Sequence, residues 1–109
     1  MHKLTIPVIT PEEILKAKAE NIPNQVIESF NKLIIRYWDG SKSIVLKDDA
    51  VNEILTHYSE NQHKDIKDLM YKEHWLDIEP LYILAGWKVN YYKSDYTTYP
   101  PRSRYEFKA

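Results

Sequence analysis

Apolar positions along the chain follow a helical period first and an alternating one last. The firmest stretch is Val26, Ile27, Phe30, Leu33, Ile34 and Tyr37, which form one continuous stripe at helical spacing. Glu28, Asn31, Lys32 and Arg36 fall on the opposite side. Asp39-Gly40 is expected to end this helix, with glycine taking the left-handed turn that a helix C-terminus wants. Upstream, Thr10-Pro11-Glu12-Glu13 reads as a helix start. Thr10 can cap, Pro11 loses no hydrogen bond in a first turn, and Glu13 completes a capping box. That helix is predicted over residues 11–20, with Ile14, Leu15 and Ala19 on its apolar side, and Ile22-Pro23 separates it from the next. Residues 1–9 alternate weakly around Pro7 and read as an extended arm or an edge strand.

Beyond Gly40 the elements shorten. Residues 43–46, with Ile44 and Val45, favour a short strand. A helix opening on Lys47-Asp48-Asp49 places acid at its positive end and carries Val51, Ile54, Leu55 and Tyr58 as its buried stripe. Residues 59–64 are polar and read as a loop, and residues 65–73 hold Ile66, Leu69 and Met70 at helical spacing. A last helix is expected with Asp77 as cap, Pro80 in the first turn, Ile78, Leu81, Tyr82 and Ala85 facing inward, and Gly86 as its stop. Period two then takes over. Trp87, Val89 and Tyr91 share one face of a strand over 87–92, and Tyr105 and Phe107 share one face of a strand over 104–108. The connection 93–103 is too long for a tight hairpin turn.

This order implies an α+β fold: a helical layer with a small antiparallel sheet of two or three strands at the C-terminus. A two-stranded ribbon is marginal alone and calls for a third strand or a helix beneath it. Residues 43–46 could supply that strand, which makes the order that of a winged helix with residues 93–103 as the wing. A generic helical layer on a small sheet is the alternative. Residues 1–21 read as an arm with a short helix, and 22–109 as one winged-helix-like domain.

Composition narrows the function classes. The chain has 109 residues and no cysteine, so disulfides, thiol nucleophiles and cysteine metal sites are excluded. No run approaches the roughly 18 apolar residues that a membrane span needs, and no signal segment opens the chain. A soluble, cytoplasmic protein with no membrane partner is expected. Aromatic content is unusual, with nine Tyr and three Trp against two Gly. Charge is uneven: ten basic and fourteen acidic side chains precede Gly86, whereas five basic and two acidic ones follow it.

The run Leu76-Asp77-Ile78-Glu79, with Ala85-Gly86-Trp87-Lys88-Val89-Asn90-Tyr91 and the Val26–Ile34 pattern, resembles a family of small uncharacterised proteins of tailed bacteriophages. The likeness covers roughly residues 22–109 and lies in structural motifs. It implies a phage accessory protein, placed in the host cytoplasm, and assigns no activity. Thr97-Thr98-Tyr99-Pro100-Pro101 departs from the family, which is more acidic and glycine-bearing there.

Candidate chemistry is sparse. His2, His57, His63 and His74 are scattered and lack metal-ligand spacing, so no metal site or cofactor is expected. Glu73, His74 and Asp77 could perform acid–base chemistry, but no nucleophile or phosphate loop accompanies them, and a helix-end charge cluster is the plainer reading. No catalytic residue is assigned, and a non-enzymatic protein is expected. Of the tryptophans, Trp87 is expected buried and Trp38 partly exposed. The candidate partner-binding residues are Tyr92, Lys93, Tyr96, Tyr99, Arg102 and Arg104, where cations alternate with rings. Such a ribbon suits either phosphates with stacked bases or a protein surface. The helix before the wing carries Asp77, Glu79, Ile83 and Leu84, with no Arg, Asn or Gln to read base edges. A protein partner is therefore favoured over nucleic acid, and a monomer and a homodimer both remain open.

Overall fold

The computed structural model describes residues 8–93 and 102–109. Within them run α1 (Pro11–Ala19), α2 (Asn24–Arg36), β1 (Lys42–Leu46), α3 (Lys47–Leu55), a 3-10 turn (Glu60–Gln62), α4 (His63–Lys72), α5 (Glu79–Leu84), β2 (Lys88–Tyr92) and β3 (Arg104–Lys108). The fold is α+β: helices pack on one face of a three-stranded antiparallel sheet of order β1-β3-β2. The strand latest in sequence is thus the central one. The expected extended arm at residues 1–9 falls almost wholly outside the described residues.

Several ends form as their residues dictate. Thr10 Oγ1 accepts the Glu13 N–H at 3.2 Å, and Glu13 Oε2 accepts the Thr10 N–H at 3.4 Å. That is the reciprocal capping box. Gly86, at φ +104°, follows α5, with its N–H donating to the Ile83 carbonyl and that of Trp87 to the Tyr82 carbonyl. This is a Schellman motif, which glycine satisfies without strain.

The core is gathered from every layer. Val26, Phe30 and Leu33 of α2 meet Ile54 of α3, Met70 of α4, Ile78 and Tyr82 at α5, Val45 of β1, and Tyr105 and Phe107 of β3. Phe107 lies 5.3 to 6.4 Å, ring to ring, from Phe30, Tyr82, Trp87 and Tyr105. Tyr82 Oη donates to Asn31 Oδ1 at 2.6 Å, and Tyr105 Oη donates to the Leu76 carbonyl at 2.7 Å. Both phenols keep a partner for the polar atom they bury.

The structure corrects several expectations. Tyr37 does not complete the buried stripe: α2 stops at Arg36, and Tyr37 caps it with 42 % of its surface exposed. Ser29 is buried in that stripe instead, its hydroxyl satisfied by the Gln25 carbonyl at 2.7 Å. Gly40 does not end the helix. It sits at φ +102° in the turn between the bridged residues Trp38 and Ser43. Asp39 Oδ1 accepts the N–H groups of Ser41 and Lys42, each at 2.9 Å, and so closes that turn. The polar run 59–64 is no loop. Ser59 and Gln62 form a capping box that starts the 3-10 turn, and α4 begins at His63. Asp77 does not cap α5. Ile78 holds the cap position because its side chain is fully buried, and the Asp77 carboxylate turns toward His74. Ala85 is exposed, and Trp87 is half-buried rather than buried. Trp38 is 40 % exposed and sets its ring edge-on to Trp87, with centroids 5.9 Å apart.

Candidate interaction surface

Residues directly opposed across antiparallel strands share a face of the sheet. The inner face is fixed by burial: Ser43 and Val45 of β1 and Tyr105 and Phe107 of β3 point into the helices. The other face is therefore made of Lys42, Ile44 and Leu46; Lys108, Glu106 and Arg104; and Lys88, Asn90 and Tyr92.

Register arranges these as three rows. Lys42 pairs with Lys108, and Lys108 with Lys88, so three lysines stand abreast across the whole sheet. Ile44, Glu106 and Asn90 form the second row, and Leu46, Arg104 and Tyr92 the third. Glu106 Oε1 lies 3.2 Å from Lys108 Nζ, and its side chain is only 13 % exposed beneath its neighbours. Lys42 lies close enough to Asp39 to be felt there. The backbone N–H groups of Lys42 and Ser41 first, and then the Ser41 hydroxyl and the Lys42 charge, hold the Asp39 carboxyl below its usual range. Among the described residues Lys88 makes no ion pair. Like charges directly opposed in a sheet cost stability, on the order of 0.2–1 kcal/mol per pair.

The candidate residues read from sequence are partly brought together here. Tyr92 and Arg104 are register partners, and the Arg104 guanidinium lies over the Tyr92 ring, 4.7 Å from its centroid. That contact holds a planar cation flat against an exposed ring. Lys93 and Arg102 are exposed just past the ends of β2 and β3, beside this pair. Tyr96 and Tyr99 lie outside the described residues. The sequence reading missed Lys42, and it counted Lys88 and Lys108 in the basic charge of the ribbon without naming them as candidate contacts. Strand alternation signals the latter two, whereas Lys42 joins them only through the pairing of β1 with β3.

Elsewhere, the structure leaves Glu73, His74 and Asp77 at the surface. His74 Nδ1 and Asp77 Oδ2 are 3.6 Å apart, beyond hydrogen-bond length, with both side chains more than two-thirds exposed. The position corresponding to a DNA-reading helix, α5, lies against α1. Among the described residues no helix is long and apolar enough to cross a membrane. Comparison with protein-family models, curated proteins and solved structures finds no match for this chain.

Proposed function

We propose that this protein is a small non-enzymatic binding module, winged-helix-like in its element order, which docks an acidic protein surface on the outer face of its sheet. Tyr92, Lys93, Arg102 and Arg104 form the flank of that site. One observation carries the reading: three lysines stand abreast, in register, on a face that also presents Arg104 stacked on Tyr92. Exposed Ile44 and Tyr92 supply apolar and aromatic contact within the positive face, the mixture found at protein hot spots. The sequence resemblance to tailed-phage proteins supports an accessory role in the host cytoplasm.

The experiment is capture of partners from host lysate by the wild type, by Lys42→Glu/Lys88→Glu, and by a control altered at exposed Lys64 and Lys67 of α4. A partner retained by the control and lost by the sheet variant is the expected result. Identical partner sets would remove the outer face from consideration.

A second reading, duplex DNA held through phosphates, is favoured by the lysine row itself, because ammonium groups serve well as point charges for phosphate. It stands second because α5 packs against α1 and bears no Arg, Asn or Gln to read base edges. Duplex affinity falling steeply with added salt would support it, as counterion release demands.

A further inference from the structure

Behind the sheet, on the side away from the lysine row, a pocket of about 140 Å³ opens among α3, α4, α5 and strands β2 and β3. Phenol rings form much of its wall: Tyr71, Tyr91 and Tyr105 all line it. The Tyr91 and Tyr105 centroids are 4.9 Å apart, and the hydrogen bond from Tyr105 to Leu76 holds that ring in place. Carboxylates supply the charge. Glu79 and Asp77 line the same space, and Glu79 Oε1 is fully shielded with no hydrogen-bond partner.

A shielded carboxylate oxygen without a partner is a costly arrangement, which a cation relieves. Burial first, and then the Asp77 charge, push the Glu79 carboxyl up; only its own backbone N–H opposes them. The Tyr105 phenol is pushed the same way, by burial and then by Glu79, Tyr91, Asp77 and Tyr71. The Asp77 and Glu79 carboxylates in the lining are what make the pocket negative. Lys47, in the wall, does not neutralise it. Its ammonium sits over the Tyr71 ring, 5.0 Å from the centroid, and makes no ion pair with Glu79 or Asp77. His74 also lines the pocket and stands 3.6 Å from Asp77.

We infer that this pocket binds a methylated ammonium group, with its charge toward Glu79 and its methyls against Tyr71, Tyr91 and Tyr105. Size agrees: an apolar cavity of about 150 Å³ takes up benzene, and a trimethylammonium head is no larger. The chemistry agrees as well, because rings and carboxylates together recognise a diffuse cation that has no N–H to donate. A metal ion would need several oxygen ligands, whereas the pocket offers one orphan oxygen and the Asp77 carboxylate. Lys47 competes for the Tyr71 ring and leaves it when the ligand enters.

The test titrates the full chain with tetramethylammonium chloride and follows amide resonances. Sodium chloride controls for ionic strength, and tert-butanol serves as a neutral body of similar shape. Saturable shifts at Tyr71, Glu79, Tyr91 and Tyr105 are expected from tetramethylammonium alone. Glu79→Gln, which keeps the shape and removes the charge, weakens binding by about tenfold or more. Lys47→Met strengthens it by releasing the Tyr71 ring. Absence of saturation, an equal response to tert-butanol, or undiminished binding by Glu79→Gln would overturn the inference. Should Glu79→Gln fail to fold, Tyr71→Leu at the exposed rim takes its place, and unchanged affinity there is equally fatal.

Discussion

Phe107 and Lys108 are neighbours in the chain and opposites in physics. Phe107 is fully buried and meets four aromatic rings; Lys108 stands on the other face of the same strand between two more lysines. Side chains along a strand alternate in direction, so a slip of one residue would bury the lysines and expose the rings. Apolar burial therefore fixes the register, and the register places the charges. The outer face contributes little to its own arrangement and even opposes it through repulsion between like charges. What looks like a designed basic row is held in position by the core behind it.

Breaking the inner face should have the largest effect. Phe107→Ala removes a fully buried ring from the centre of the sheet and is expected to cost about 3–5 kcal/mol in denaturant unfolding. Tyr105→Phe keeps the ring but leaves the Leu76 carbonyl without its donor; a loss of about 1–2 kcal/mol is expected by the same measurement. Ser43→Ala should act in the other direction. The Ser43 hydroxyl is buried on the inner face without a partner, so its removal is expected to raise stability by about 1 kcal/mol. An unchanged denaturation midpoint in that variant would mean that the hydroxyl is satisfied after all.

The outer face should behave differently. Lys88→Glu replaces a like-charge pair with an opposite one beside Lys108, and stability is expected to rise by a few tenths, to at most about 1 kcal/mol. The gain should fade with added salt, while partner association weakens. Glu79 offers the sharpest contrast, because its charge lies behind the sheet. Its folded-state carboxyl is raised, so the unfolded chain releases that proton at lower pH than the folded one. The stability linked to Glu79 is thus fully present below the ordinary carboxylate range and is lost as pH rises through the raised value. Glu79→Gln should abolish that decline when unfolding is measured across pH at constant salt, and added salt should alter it little.

Local signals were legible in sequence and non-local ones were not. The α2 stripe from Val26 to Ile34, the Thr10–Glu13 box and the Gly86 stop all rest on residues close together in the chain, and they form as read. Ser59 and Gln62 are the same kind of signal, hidden because no apolar run follows them closely. Asp77 misled because a good capping residue lost its place to Ile78, whose burial in the core matters more. Tyr37 continued the helical period past Arg36, where α2 stops and the chain enters the Asp39 turn. Of the interaction surface, Tyr92 and Arg104 were found through composition. Lys42 was not, because only the β1–β3 pairing sets it beside Lys108, and that pairing joins residues far apart in the chain.

Because β3 lies between β1 and β2, the two outer strands share no ladder of their own. A chain shortened before Arg104 would lose Tyr105 and Phe107 from its core and, among the described residues, would leave β1 and β2 with nothing between them to pair with. Assembly of the described sheet must wait until β3 has been made, since β1 emerges early and, among the described residues, finds its partner strand at the far end of the chain. A synthetic peptide carrying Arg104–Lys108 could then complete such a shortened protein from outside, restoring core and lysine row in one step.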